Sequence, residues 1–460
     1  MPESTRQSAL FKDVFSKPVV ATFDADALTS DGGLLLIGAV DRKTQLTARL
    51  CGVLPDERQE GKVVHTLFDL LRQRIYAIAA GYADGNDAKA LRSDPAFKLL
   101  CDRDPLSGPD LASQPTLSRF EHSVSGREAV AMGREFERHR IEAFAARAAK
   151  ARRVVIDLDG TEDPAHGQQT FAFFNGFYDS YCFLPLLGFL CIDGESEQHL
   201  FYARLRPGVK SSGRGVIPLL RRTVARLRTL LPHTKVLVRM DAGFVTPHLL
   251  DVLEELGVEY VLGLPANCVL LRRSKRFLRG LRKSVRKTGR SRRRYGVLSY
   301  AAKKWSHKRR VVVKAEVLAP PSSAPKRAIK TNVRFVVTNL RAGPRHVYES
   351  VYCARGDSEN RIKELKGDLE MDRTSCTSFT ANQVRVLMTA AAYALFQEMR
   401  LELKGTELAD AQVGTLRLRL LKIAARVVRS VRRVVFHLPR SCANAADWAR
   451  LAARVGATTA

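Results

Sequence analysis

Two short apolar segments that each end in aspartate constrain the fold of this chain most strongly. Residues 152–160 read RRVVIDLDG and residues 235–244 read KVLVRMDAGF, and both are rich in the aliphatic and β-branched residues typical of buried strands. Further candidate elements surround them, namely strands over 181–193, 199–206 and 258–265 and helices over 215–231 and 247–256. Alternation of strands and helices predicts an α/β core with a mixed sheet.

The first segment carries two carboxylates on one face of its strand. Because side chains alternate along a strand, Asp157 and Asp159 share a face, whereas Val154, Ile156 and Leu158 point to the other face, into the core. Burying a carboxylate is costly unless it is paired or binds a metal. The alternative is a structural aspartate that caps the turn after the strand.

A second candidate acid, Asp241, directly follows the other apolar segment. It therefore lies at the C-terminal end of a predicted strand, where ligands and catalytic groups of α/β sheets gather. An aspartate at this position also often caps the following helix, so the residue alone is a weak signal.

The third candidate acid, Glu359, lies in the segment YCARGDSENRIKELKGDL. At 100° per residue, Tyr352, Arg355, Glu359 and Lys366 fall within about 60° of one helical face. An ion pair on a solvated face would explain Arg355 and Glu359, but it leaves the tyrosine and the lysine unexplained. Gly356 weakens a helix by about 1 kcal/mol, which favours a helix that begins only after it.

Positive charge dominates the composition. The chain has 76 Lys and Arg against 47 Asp and Glu, a net charge of +29, which suits a polyanionic partner such as nucleic acid. Between Glu259 and Glu316 there are 19 basic residues and no acid. Charge runs are usually solvated loops, but one this long and unbalanced favours contact with phosphates. Paired strands are predicted over 309–318 and 332–340, joined by APPSSAP at 319–325, so this part of the chain indicates a β-rich insertion.

The sequence argues against a membrane protein and against a zinc or disulfide framework. The longest apolar stretch, residues 181–192, is shorter than the roughly 20 residues that span a bilayer. The N-terminus lacks the apolar run of a signal peptide, so a cytoplasmic location is expected. The eight cysteines form no CxxC pair and are interpreted as small buried hydrophobes.

The remaining segments indicate mainly helix. Residues 63–82 carry apolar residues at helical spacing, and the sequence from Gln114 to Ser118 predicts a helix start with Thr116 as a possible cap. A long amphipathic helix is predicted over 378–400. The tail over 415–433 alternates aliphatic residues with arginine and would pack on the core or hold DNA.

The spacing Tyr352-x2-Arg355-x3-Glu359-x6-Lys366 resembles the signature motif of the IS4-like transposase group. The sequence DGT at 159–161 is similar to the first-aspartate motif of that group, and Asp241 to its second. Longer stretches resemble the IS1380 family of bacterial insertion sequences, at 81–95, 111–122, 159–169, 184–190, 205–208, 239–244 and 359–376. The resemblance covers about residues 20–440, and the basic run at 272–294 and the segment APPSSAP look expanded against it.

This resemblance implies an α/β fold with an RNase H-like catalytic core that a β-rich insertion interrupts. The expected regions are a helical N-terminal DNA-binding or scaffold region (1–150), the first part of the core (151–265), the basic insertion (266–345), the second part of the core with the glutamate helix (346–405) and a basic helical C-terminal region (406–460).

The resemblance also implies a DDE transposase, an enzyme that cuts DNA at the ends of its mobile element and joins it to target DNA. Asp159, Asp241 and Glu359 would be catalytic and would hold two Mg²⁺ ions, for which Mn²⁺ would substitute. Tyr352, Arg355 and Lys366 would contact DNA. The implied partners are the terminal inverted repeats, target DNA and a second copy of the chain on paired ends, at the bacterial nucleoid.

Several alternatives remain at this point. Asp157 shares a face with Asp159 and competes with it as first metal ligand, although the DGT context favours Asp159. A catalytically silent DNA-binding protein would bind DNA without metal-dependent cleavage. An RNase H-like nuclease would cleave without strand transfer, and a basic ribosome-associated protein would lack a large α/β core.

Overall fold

The structure is a computed structural model that describes residues 9–11, 16–22, 24–209, 213, 215–319 and 329–458. The chain divides into two compact units. The first comprises Met1–Cys51, Asp56–Phe120 and Leu395–Ala460, and the second comprises Gly52–Pro55 and Glu121–Ala394. The aspartate-ending segments and the glutamate helix all belong to the second unit.

The described residues up to 123 are mainly helical. It contains strands β1 (Ala9–Phe11), β2 (Val19–Ala21) and β3 (Leu28–Thr29) and helices α1 (Leu34–Thr44), α2 (Leu46–Cys51), α3 (Leu67–Ala80), α4 (Ala88–Leu91), α5 (Pro95–Leu100) and α6 (Gln114–Ser123). A reciprocal capping box of Thr66 and Asp69 starts α3, and Gly81 ends it with a φ of 91°. The predicted cap at Thr116 was wrong, because α6 begins two residues earlier and Thr116 lies in its first turn.

The second unit is built on strands and the helices between them. Its strands are β4 (Arg153–Gly160), β5 (Asp163–Pro164), β6 (Phe173–Asn175), β7 (Ser180–Phe183), β8 (Leu186–Ile192), β9 (His199–Arg204), β10 (Lys235–Met240), β11 (Glu259–Leu264), β12 (Arg292–Tyr300), β13 (Arg309–Leu318) and β14 (Lys330–Thr338). Its helices are α7 (Gly126–Arg147), α8 (Val216–Leu230), α9 (Pro247–Glu255), α10 (Cys268–Leu278), α11 (Leu281–Thr288), α12 (Pro344–His346), α13 (Gly356–Gly367) and α14 (Phe379–Glu402), the last of which continues beyond residue 394.

One eight-stranded mixed sheet organises this unit, in the order β12-β13-β14-β11-β10-β4-β8-β9. Strands β4, β10 and β11 run parallel, and the other pairings are antiparallel. The α/β prediction is therefore confirmed. The two aspartate-ending strands are neighbours, with Leu158 opposite Met240, so the residues that follow them emerge side by side at one end of the sheet.

The two faces of β4 enter different hydrophobic clusters, as its alternation predicted. Val154, Ile156 and Leu158 lie in a large core together with Val238 and Met240 of β10. Residues of α7, α8 and α9 belong to the same core, which therefore covers one side of the sheet. On the opposite face, Val155 packs in a smaller cluster that the helical residues after β14 cover.

A buried ion pair lies within that second face. Asp157 is fully buried, and the Arg239 guanidinium of β10 binds it with two contacts, Nε to Oδ1 at 2.7 Å and Nη2 to Oδ2 at 2.6 Å. The remaining Nη1 donates to the Val351 carbonyl at 3.1 Å. A bidentate pair of this kind compensates the two charges for their removal from water.

The region predicted as a β-rich insertion contains helices as well as strands. Strands β13 and β14 do pair antiparallel, but β14 also pairs with β11, so these strands extend the central sheet. The basic run before them forms α10 and α11, because Leu270, Leu281 and Val285 recur at helical spacing and are buried. The segment APPSSAP lies outside the described residues except for Ala319.

The chain before Glu359 is helical from residue 344 onward. The prediction that the helix starts only after Gly356 was therefore wrong. A π-helical segment, Val347–Tyr352, and a 3₁₀ turn, Cys353–Arg355, precede α13. Tyr352 and Arg355 thus lie outside the regular α-helix that the angular calculation assumed. Segments of π-helix are rare and often occur at functional sites.

The C-terminal region, which was expected to be helical, includes strands as well as helices. It contains α15 (Val413–Leu416), a π-helical segment (Arg417–Leu421), β15 (Ala425–Arg429), β16 (Val434–His437) and α16 (Ala445–Arg454). Strands β15 and β16 form a hairpin, and β15 also pairs with β3. Ala425 and Val427 are buried and Arg426 between them is exposed, which is the period of a strand rather than of a helix.

Cysteine burial is mixed. Cys101, Cys182 and Cys191 are buried as expected, whereas Cys268 and Cys353 are exposed. In the described part of the chain, no helix combines the length and the apolarity that crossing a bilayer requires.

Removal of Arg239 tests the buried ion pair. Arg239→Met is expected to lower the free energy of unfolding by about 3–5 kcal/mol, because Asp157 is left charged and unpaired in the core. The double variant Asp157→Leu, Arg239→Met should recover most of this loss. The measurement is urea unfolding of each variant, and a loss below about 1 kcal/mol in the single variant would contradict the assignment.

Candidate active site

The three candidate acids meet in one cavity at the ends of β4 and β10. Its lining residues are Asp159, Gly160, Thr161, Asp241, Arg355, Glu359, Ile362, Lys363 and Lys366. Asp159 and Asp241 come from the parallel strands, and Glu359 comes from the first turn of α13. The fold thus brings together carboxylates that lie far apart in the sequence.

Asp159 is the most deeply placed of the three acids. Only 7% of the residue is exposed, and one carboxylate oxygen accepts the Gly160 amide at 3.0 Å. Burial, opposed by Arg355 and reinforced by the negative charges of Asp241 and Glu359, raises the pKa of this carboxyl to about 6. The cavity therefore concentrates negative charge that favours a cation.

The Arg355 guanidinium bridges two of the acids. Its Nη1 donates to Asp159 Oδ2 at 2.6 Å, and its Nη2 donates to Glu359 Oε1 at 2.8 Å. Burial lowers the pKa of Arg355, but the surrounding charges, foremost Asp159, outweigh it and hold the pKa above its ordinary value. This arginine supplies the positive charge that the carboxylates require when no other cation is present.

Asp241 caps the 3₁₀ turn that follows β10. Its Oδ1 accepts the Gly243 amide at 2.9 Å, so the capping function that the sequence left open is present. Asp241 also lines the cavity. The same residue therefore caps the turn and contributes to the site.

A glycine on β11 permits the approach of Tyr352 to Asp241. A Cβ at Gly263 would lie 2.6 Å from the Tyr352 hydroxyl and 2.8 Å from the Ala242 amide nitrogen. Tyr352 does not line the cavity, and its ring packs 5.7 Å from that of Tyr348. Burial and the charge of Asp241 both raise the pKa of the Tyr352 hydroxyl, while Arg355 opposes them.

Two lysines of α13 complete the wall of the cavity. Lys366 donates to the Glu162 carbonyl at 2.9 Å and lies 3.4 Å from an oxygen of Asp372. Lys363 lies one helical turn after Glu359, and sequence reasoning missed it. Its signal was available, since residues four apart on a helix share a face.

Asp157 lies apart from this cavity. Both of its carboxylate oxygens bind Arg239, and it is not among the lining residues. The structure thus places Asp157, the alternative first metal ligand, in the core, two residues before Asp159 on β4.

The cavity acids offer only carboxylate oxygens, the ligand type that Mg²⁺ and Mn²⁺ prefer. In the described part of the chain, one oxygen each of Asp241 and Glu359 makes no hydrogen bond. These acids can therefore hold a divalent cation. A separate cluster, Asp251, Glu254 and His307, also brings ligand atoms within 4.8 Å, but the Arg309 guanidinium already neutralises its carboxylates at 2.6–2.7 Å.

Comparison with known proteins assigns a family. Residues 11–459 match the family model described as Transposase DDE domain group 1. No curated protein matches the sequence. Among solved structures, the chain is similar to a piggyBac transposase in a synaptic complex with hairpin DNA, with a TM-score of 0.41 and 11% identity, covering 90% of this chain and 81% of that chain.

Removal of Arg355 tests its role as a substitute cation. In protein without DNA, Arg355→Ala is expected to raise the affinity for Mn²⁺ roughly tenfold, because a competing charge next to Asp159 and Glu359 is lost. The measurement is titration with Mn²⁺ followed by electron paramagnetic resonance. Arg361→Ala, on the same helix and paired with Glu364, should leave the affinity unchanged. Unchanged or weaker binding by the Arg355 variant would contradict this role.

Proposed function

Because the chain belongs to the family of transposase DDE domain proteins, we propose that it is a Mg²⁺-dependent DDE transposase that excises and inserts its own mobile element by cut-and-paste transposition. The observation that carries this proposal is the convergence of Asp159, Asp241 and Glu359 on one cavity that is otherwise rich in basic side chains. A mixed sheet with acids at the ends of adjacent strands supports the RNase H-like assignment of the core. The stretches shared with the IS1380 family support that finer placement.

The three carboxylates would hold two Mg²⁺ ions, which when bound activate the attacking oxygen and stabilise the leaving oxygen of a phosphodiester. Mn²⁺ would substitute, because it prefers the same ligands. Asp159 is proposed as the first ligand, since both carboxylate oxygens of Asp157 bind Arg239. The protein contributes position and charge rather than covalent chemistry.

Basic residues of the cavity would orient the DNA backbone. Arg355 is suited to bind a phosphate through two donors, and Lys363 and Lys366 supply point charges beside it. For Tyr352, the packing of its ring against Tyr348 favours a positioning role for the hydroxyl over the direct contact with DNA that the resemblance implied.

Helices α10 and α11 are proposed to hold the phosphate backbone of double-stranded DNA. Leu270, Leu281 and Val285 face the protein, and the opposite faces expose a run of basic residues, namely Arg272, Arg273, Lys275, Arg276, Arg279, Arg282, Lys283, Arg286 and Lys287. Charge of one sign on a surface this long supports sequence-independent binding. The expected DNA partners are the terminal inverted repeats and the target, with two copies of the chain on paired ends.

Substitution of one metal ligand tests the catalytic proposal. Purified protein with Mg²⁺, labelled DNA from the flanks of its own gene and a supercoiled target plasmid should yield cleaved ends and joined product. Asp241→Asn should lower both by at least about 10³-fold while DNA binding persists, because the cation site loses a charged ligand. Tyr295→Phe, which alters a hydroxyl that bonds Glu349 rather than the cavity, is the matched control.

The outcomes of this assay separate the candidate functions. Joining that vanishes in Asp241→Asn supports a transposase. Cleavage without joining would indicate an RNase H-like nuclease, and binding without metal-dependent cleavage would indicate a catalytically silent DNA-binding protein.

A triple substitution on α11 tests the proposed backbone contact. Replacement of Arg282, Lys283 and Arg286 by alanine should reduce the slope of log K against log salt by about 2–3, because each phosphate contact contributes about 0.9. Lys150, Arg152 and Lys235, which are exposed beside the opposite ends of β4 and β10, provide a control with equal loss of charge. Equal effects of the two triple variants in fluorescence-anisotropy titrations would contradict a specific role for α11.

A further inference from the structure

Among the residues whose side-chain exposure the structure describes, exposed aromatic rings are confined to one short segment. These rings belong to Phe171, Phe173, Phe174, Phe177 and Tyr181. All five lie in residues 171–183, which include the antiparallel strands β6 and β7 and are named here the aromatic hairpin. Concentrated exposure of this kind indicates a surface that binds a partner.

Hydrogen bonds of the Asn175 side chain order the tip of the aromatic hairpin. The Asn175 side chain accepts the Phe177 amide at 3.0 Å and donates to the Gly208 carbonyl at 2.8 Å. Phe177 is 87% exposed, and its ring stands 4.9 Å from that of Tyr178 at 88°. Behind the tip, Phe174 and Tyr181 are directly opposite in the strand register, with ring centroids 5.6 Å apart. The hairpin therefore presents organised ring surfaces to solvent.

The aromatic hairpin is anchored beside the catalytic cavity. Strand β7 pairs with β5, which begins four residues after Asp159, and the Ala165 amide donates to the Tyr181 carbonyl at 2.9 Å. The Ser180 hydroxyl donates to the Glu162 carboxylate, and the carbonyl of the same glutamate accepts Lys366. Consistent with this placement, burial and the charges of Asp159, Glu162 and Asp241 raise the pKa of Tyr178.

The surroundings favour nucleic acid as the occupant. Arg355, Lys363 and Lys366 of the adjoining cavity would attract a phosphate backbone, and the net charge of +29 opposes close approach of a second uncompensated copy. Aromatic rings beside a cationic groove are the arrangement that binds unpaired bases, since every base has a face that stacks. Rings that bury another protein would instead require an apolar complement without phosphate charge.

We infer that the aromatic hairpin stacks on bases of the DNA end that become unpaired next to the scissile phosphate, with Phe177, Phe174 and Tyr181 as the contacting rings. This inference rests on the proposed function, because it specifies the form of DNA that would bind at the proposed catalytic cavity. The hairpin stabilises the unpaired state, which lets the backbone bend toward the carboxylates.

Two measurements on the full chain test this role. In single-turnover cleavage, Phe177→Ala and the double variant Phe174→Ala, Tyr181→Ala should each cut fully paired end DNA about 5- to 150-fold more slowly. Phe177→Trp should restore the rate, and mismatched bases beside the cleavage site should recover much of the loss. Leu230→Ala, at an exposed aliphatic residue that ends α8, is the control for lost apolar surface.

The second measurement does not depend on activity. The Asp241→Asn variant is bound to end DNA that carries 5-iodouracil next to the cleavage site, irradiated, and mapped by mass spectrometry. Crosslinks to Phe174, Phe177 or Tyr181 are expected. If the wild-type protein cleaves while the hairpin variants stay within twofold of it and no crosslink maps to these rings, the inference is overturned and the proposed function stands.

Two further results are decisive. Failure of the wild-type protein to cleave would count against the proposed function itself. Hairpin variants that lose self-association in analytical ultracentrifugation, without change in cleavage by preassembled complexes, would assign the surface to a second copy of the chain and overturn the inference.

Discussion

The parallel pairing of β4 with β10 is the constraint on which the site depends. It sets Leu158 opposite Met240, so that Asp159 and Asp241 leave the sheet from adjacent strand ends. One register step earlier, Asp157 and Arg239 form a bidentate pair across the same two strands. A slip of one strand by one residue would turn the side chain of that strand to the opposite face and separate the pair, so the ion pair favours the register that aligns the acids.

Charge balance decides what the cavity can hold. Asp159 is almost fully buried, and two further carboxylates border the same space. Like charges at such positions require a compensating cation, and in this structure Arg355 provides it through two short contacts. Because the same guanidinium is suited to bind a phosphate, movement of Arg355 onto DNA would free the carboxylates for metal. Loading of metal and binding of DNA would then be coupled through one side chain.

Much of the fold of the second unit could be predicted from the sequence, because its strands are short apolar runs with clear ends. Between 152 and 265 the predicted strands and helices occur in the predicted order, except that the strand expected over 181–193 divides into β7 and β8, which belong to different sheets, and that β5 and β6 were not predicted. The alternation along β4 correctly placed both aspartates on the face opposite Val154, Ile156 and Leu158. The insertion and the C-terminal region were less predictable. Basic residues at helical and at alternating spacing look alike when few apolar residues mark the buried face, as in 268–288 and 425–429.

The candidate site was accessible from the sequence mainly through spacing and resemblance. No local pattern indicates that Asp157 forms an ion pair with Arg239, because the two residues lie 82 positions apart and only the strand register brings them together. The π-helical segment before Arg355 was equally hidden, since its residues fit an ordinary helix. Residues 171–180 of the aromatic hairpin lay outside the predicted strands and helices, and the exposure of its rings became evident only in three dimensions.

The most direct test of the central claim is the position of bound metal. Crystals of the protein with end DNA and Mn²⁺, measured at the manganese absorption edge, would locate the ions by anomalous scattering. The account predicts Mn²⁺ held by Asp159, Asp241 and Glu359, with Arg355 turned away from both carboxylates. Anomalous signal only at Asp251, Glu254 and His307, or an Arg355 that still bridges Asp159 and Glu359 in the DNA complex with no ion beside it, would contradict it.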